Sequence, residues 1–154
     1  MATNNPAKWS AYSAAKAALF AAGGLKNLAT AAGAITATPV DNTAGDQYAD
    51  LELLIDLATA ATALGVVSLW FIHALDGANY ESGSATVFPA RPPDVSIPVR
   101  STTDDSQVCF AGPVLWPQGK FHVLLQNSTG QTTTNTDNLT QVSFRSYNDN
   151  AVIP

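Results

Sequence analysis

The order of apolar and polar residues divides the chain near residue 47. Downstream of it the pattern has period two. In "YADLELLIDLAT", Leu51, Leu53, Ile55 and Leu57 fall on one side, and Glu52 and Asp56 on the other. Successive side chains of a strand point to opposite faces, so this alternation predicts a half-buried strand. "GVVSLWFIHAL" is more continuously apolar and predicts a central strand, buried on one face and partly covered on the other. "SIPVRST" predicts a short strand that Pro98 confines to an edge or a strand end. "SQVCFAG", "KFHVLLQNS" and "LTQVSFRSY" complete the series; the last two set Phe121, Val123, Leu125, Val142 and Phe144 against His122, Leu124, Gln126, Gln141, Ser143 and Arg145. Turn-forming clusters separate them, including Asp76-Gly77, Arg91-Pro92-Pro93-Asp94, Trp116-Pro117-Gln118-Gly119 and Asn127-Ser128-Thr129-Gly130. Short strands with such turns and no interleaved helices predict a mainly β fold, an antiparallel β-sandwich of jelly-roll-like type, over residues 47–150.

Residues 1–46 read differently. "SAYSAAKAALFAA" is rich in strong helix formers and ends at Gly23-Gly24, which predicts a helix. Trp9, Tyr12, Leu19 and Phe20 recur near one face of it. A weaker segment, "LKNLATAAGAIT", stops before Thr38-Pro39. An isolated helix this short is marginal in water, so its aromatic face needs a cover. The segment packs on its own domain, or is an arm docking on another subunit with those four residues as anchors, or is disordered. The arm is the expectation carried forward.

Composition narrows the function. Charged residues make up only 12% of the 154, against 46% apolar, leaving broad neutral surface for protein contact. Seven Lys and Arg are scattered along a chain of net charge −5, so the footprint of a nucleic-acid binder is missing and acidic membranes are not expected as partners. No stretch has the length of a membrane span, and the chain reads as a mature protein made in a reducing cytoplasm. The single cysteine, Cys109, reads as a buried core thiol.

Candidate chemistry is sparse. "LWFIHALDGANYESG" brings His73, Asp76 and Glu81 close in sequence, but Asp-Gly after a strand is ordinary turn composition, and the turn is expected to carry the three apart. Tyr80 reads as a ring packed across that loop. No nucleophile elbow accompanies either histidine, and the two glutamates, Glu52 and Glu81, do not form an evident glycosidase pair. Asp104-Asp105 and Asn148-Asp149-Asn150 match no full calcium loop, and no phosphate loop is present. The expectation is a protein without catalytic residues, metal or cofactor. The proline-bearing loop "GSATVFPARPPD" suits a contact surface through Phe88 and Arg91. Trp116 either plugs an edge of the sandwich or is an exposed anchor for a partner or a sugar.

"VDNTAGDQYADLELLIDLA", "ALDGANYESG", "PARPPDVSIPVR", "GPVLWPQGKFHVLLQNSTGQ" and "VSFRSYN", in this order over roughly residues 40–148, resemble a family of small structural proteins of tailed bacteriophages. The resemblance implies a virion component, and the expectation is a capsid decoration or cement protein on the outer surface of the head. Its partner is then the major capsid protein, which it binds as a dimer or trimer. The alternative is a tail- or fibre-associated protein whose sandwich binds a host carbohydrate, with Trp116, Tyr80 and Trp70 as stacking rings. No catalytic residues follow from the resemblance.

Overall fold

The computed structural model describes residues 8–9, 16–74, 79–101, 106–136 and 140–150. Its strands are β1 (Lys8–Trp9), β2 (Ala17–Ala18), β3 (Gly33–Ile35), β4 (Val40–Asn42), β5 (Tyr48–Ile55), β6 (Val66–His73), β7 (Val95–Pro98), β8 (Gln107–Leu115), β9 (Gly119–Ser128), β10 (Gln141–Tyr147) and β11 (Asp149–Asn150). The described residues contain no helix. Two antiparallel sheets account for most of them. One has the order β2-β10-β5-β8; the other has the order β3-β9-β6-β7, with β4 also paired to β9. Along the chain β2 lies in the first sheet, β3 and β4 in the second, β5 in the first, β6 and β7 in the second, and β8, β9 and β10 alternate again. A short ribbon pairs β1 with β11.

The alternation read from the sequence becomes burial. In β5 the residues Ala49, Leu51, Leu53 and Ile55 are buried, and their neighbours are half-exposed. They share one apolar core with Val142 of β10, with Val67, Leu69 and Phe71 of β6, with Ile97 of β7, and with Phe121, Val123 and Leu125 of β9. Both sheets therefore contribute to the same core, and removing this apolar area from water is the main term holding them together. The opposite face of β6 is covered as well: Trp70 and Ile72, with Leu124 of β9, form a second cluster under Tyr80 and Phe88 of the loop that precedes β7. Coverage on both faces explains why "VVSLWFIH" is continuously apolar. β7 pairs only with β6 and so lies at an edge, as Pro98 requires.

The N-terminal expectation needs correction. Residues 16–22 are not helical: Ala17 and Ala18 pair with Phe144 and Ser143 of β10, and the Leu19 amide donates to the Val142 carbonyl at 2.8 Å. Leu19, Phe20 and Leu25 are buried in the common core. The free edge of β10 and the core beside it satisfy both backbone and side chains there, and such tertiary context overrides helix propensity. The segment 25–36 forms turns and β3, whose Ala34 and Ile35 pair with Leu125 and Leu124. β2, β3 and β4, all upstream of residue 47, thus belong to the same two sheets, and that position does not bound the β-structure. Trp9 lies in β1, opposite Asp149. Tyr12 lies outside the described residues.

Candidate functional site

The loop from 79 to 94 is held down by one side chain. Arg91 donates from Nη1 to both oxygens of Asp94, each at 2.8 Å, and from Nε to Glu81 Oε1 at 3.1 Å. Its Nη2 reaches Glu81 Oε2 at 3.1 Å and the Phe71 carbonyl at 2.9 Å. Asp94 in turn accepts from the Phe71 amide at 2.7 Å, and the Trp70 indole donates to the Arg91 carbonyl at 3.1 Å. Charge-assisted forks of this kind fix orientation as well as adding energy. The Glu81 carboxylate raises the Arg91 guanidinium above its ordinary range, with Asp94 adding to the effect against the cost of burial. Arg91 is therefore a clamp between loop and strand. Phe88 lies half-buried beside Trp70, ring centroids 5.6 Å apart.

The three residues of the "LWFIHALDGANYESG" stretch divide. His73 is exposed at the end of β6, Glu81 is bound to Arg91, and Asp76 lies outside the described residues. Ala74 bridges to Tyr80 and the Glu81 amide donates to the His73 carbonyl at 2.8 Å, so the chain turns back here. Tyr80 packs edge-on against His122 with centroids 4.7 Å apart. His122 is half-buried, its Nδ1 within 2.8 Å of the Thr36 carbonyl oxygen and 3.1 Å of the Thr36 hydroxyl. Asn148 is engaged with the Gln47 amide and with Asp46. Among the described residues no group of three or more His, Cys, Asp or Glu could hold a metal ion. The described residues contain no helix long and apolar enough to cross a membrane.

Trp116 is a plug and not an exposed anchor. It is 4% exposed, edge-on to Phe71 and Phe121 and stacked on Phe144 at 4.9 Å, so it closes one end of the core between the two sheets. Trp70 is likewise buried. Cys109 is half-buried at the core margin and not enclosed; burial still pushes its thiol up, partly offset by Arg100.

Among the described residues, Val87 is exposed in the loop expected to be a contact surface and Leu64 lies in a turn, but most of the exposed large apolar side chains lie on β8, which the sequence reading had not singled out. Phe110 is 70% exposed, Leu115 76% and Val108 50%. β8 is an edge strand paired only with β5, so its outward face receives no cover. Pro113 within the strand was the available signal, because proline in a sheet is confined to edges or bulges. Gly112 is required beside it, since a Cβ there would collide with the Asp50 carboxylate. Two open depressions flank β8. One, about 480 Å³, is lined by Lys16, Asp50, Glu52, Phe110 and Arg145; Lys16 is paired with Glu52, and Tyr147 donates to Asp50 at 3.4 Å. The other, about 440 Å³, is lined by Phe71, His73, Asp94, Pro113, Val114, Leu115, Trp116 and Pro117. Its walls are mostly apolar, with His73 and Asp94 as its ionisable members. No protein-family model matches the chain, and comparisons with curated proteins and with solved structures find no match.

Proposed function

We propose that this protein is a non-enzymatic virion component, a decoration or cement protein that binds the outer surface of a phage head through its major capsid protein. The observation that carries the reading is the apolar depression beneath Leu115, with a large side chain 76% exposed at its lip. Exposed apolar surface next to a concave wall is the signature of a protein contact. Two further features support it. The five segments quoted above resemble small phage structural proteins. A jelly-roll reading of the two sheets, an architecture used by capsid and lectin domains, is supported by their strand orders, β2-β10-β5-β8 and β3-β9-β6-β7. Fold alone does not assign function, so the contact surface bears the weight.

Repeated copies on a lattice make modest individual contacts sufficient when each copy bridges neighbouring subunits. The carbohydrate alternative loses its two tryptophan platforms, because Trp70 and Trp116 are both buried. The test is co-sedimentation of the purified protein with capsids of the same phage that lack it. Saturation at a fixed ratio to the major capsid protein is expected, and Leu115→Asp should abolish binding while leaving the fold intact. Failure of the unaltered protein to bind capsids refutes the reading, and purified tails and glycans become the next ligands.

A further inference from the structure

We propose that two copies of this chain pair antiparallel along the free edge of β8, about a two-fold axis at Cys109. The inference goes beyond capsid binding and does not depend on it. β8 is bonded to β5 on one side, and among the described residues no strand pairs with the other. Such an edge presents unpaired amides and carbonyls, and natural sheets blunt it with charges, prolines or bulges. From Gln107 to Leu115 there is no charged residue. Pro113, and the bulge between Ala49 and Leu51 opposite it, spoil only the distal part; Gln107 to Ala111 form a regular ladder with β5.

The sequence of this ladder is complementary to itself. A two-fold axis normal to a sheet keeps every side chain on its own face, so only registers centred on a residue are allowed. Centred on Cys109, the register sets Val108 of each copy against Phe110 of the other on the outer face. Aromatic and β-branched side chains directly opposite are among the favourable cross-strand pairs. Centred on Phe110, it would set Phe110 against its own copy but Val108 against Gly112, exchanging two Val–Phe pairs for a single ring pair. In β5, Leu54 lies opposite Val108 and Glu52 opposite Phe110. Each row across the joint would therefore read Glu52, Phe110, Val108, Leu54, with the apolar members in the middle and the acid, paired with Lys16, at the end. Self-complementarity of one patch is what an isologous two-fold contact requires. A strand of this length covers less than the roughly 800 Å² per partner of a stable complex, so the dimer should be weak and concentration-dependent.

The experiment uses the full chain. Light scattering or sedimentation equilibrium should show a mass moving from that of the 16.0 kDa chain toward twice that value as concentration rises. Phe110→Asp should remain monomeric with unchanged circular dichroism, since the ring is 70% exposed, whereas Leu115→Asp should still dimerise. Opposed residues of an antiparallel pair have Cα atoms about 4.5–5.5 Å apart, within disulfide reach. Diamide, which takes up the two thiol hydrogens, should therefore join Cys109 to Cys109 in the unaltered chain, in a product absent from Phe110→Asp and reversed by dithiothreitol. A chain that stays monomeric to its solubility limit overturns the proposal, even if its β8 edge captures a strand of another protein. So does a dimer that survives Phe110→Asp and forms no Cys109 cross-link.

Discussion

Replacing Arg91 with alanine removes the side chain that clamps the 79–94 loop to β6, and the structure sets the size of the effect. The Glu81 and Asp94 carboxylates and the Phe71 carbonyl lose the guanidinium at once, while Asp94 keeps the Phe71 amide. The side chains of Arg91, Glu81 and Asp94 are 33%, 35% and 31% exposed, so solvent screens both pairs in part. Each ion pair is then worth about 0.5–1 kcal/mol, near the top of the exposed range. The bond to the Phe71 carbonyl, charged on one side and partly buried, adds about 1–1.5 kcal/mol. The total is about 2–3.5 kcal/mol, discounted already for screening. For a chain of 154 residues each kcal/mol moves Tm by roughly 2–4 °C, so a fall of about 4–14 °C is expected. Arg91→Lys keeps the charge but not the fork and should recover less than half of the loss. Urea denaturation gives the free energy, and limited proteolysis should show cleavage between 79 and 94 before global unfolding. A change below about 0.5 kcal/mol, the range of ordinary surface substitutions, would refute the clamp and leave the Phe88–Trp70 contact as the anchor.

Two other substitutions test the packing. Trp116→Ala should cost about 3–5 kcal/mol in denaturant titration, because it empties a site bounded by Phe71, Phe121 and Phe144. Gly33→Ala should cost about 1–3 kcal/mol, since a Cβ there would stand 2.8 Å from the Phe88 ring and 2.9 Å from the Ala85 and Leu125 carbonyl oxygens; a neutral result in the same titration would mean that the loop shifts freely.

The long strands were legible because burial imposes period two on them. β5 alternates without exception, and β6 departs from alternation only because the 79–94 loop covers its second face. The N-terminal segment was not legible for the opposite reason. Alanine and lysine report local helix propensity, while the strand Ala17–Ala18 exists through hydrogen bonds to a partner more than 120 residues away. A local pattern carries no trace of such a partner. Arg91 was singled out as a contact residue from its proline-rich surroundings; that it faces Glu81 and Asp94 depends on how the loop folds back over β6, which spacing alone does not determine.

Leu115 and Trp116 are consecutive, yet one is 76% exposed and the other 4%. The chain leaves β8 at this step, and the Trp116 amide donates to the Gln47 carbonyl at 2.9 Å, which turns the indole into the core. Leu115 is left at the lip of a depression whose floor includes that same indole. The core thus shapes the proposed contact surface directly, and on that proposal loss of Trp116 should weaken both stability and particle binding. Leu115→Asp should affect binding alone. The proximal half of β8 is separate again, because Val108 and Phe110 project from the outer face near Glu52. One edge strand therefore offers two surfaces, the exposed pair Val108 and Phe110 and the depression at Leu115. Two such depressions on one dimer would engage two neighbouring lattice positions, and linking two sites raises their combined affinity without any new contact. On that reasoning Phe110→Asp should weaken capsid binding while leaving the site at Leu115 intact, and Leu115→Asp should abolish binding while leaving the dimer intact. If the two variants instead lose both properties together, the division of β8 into two surfaces is wrong.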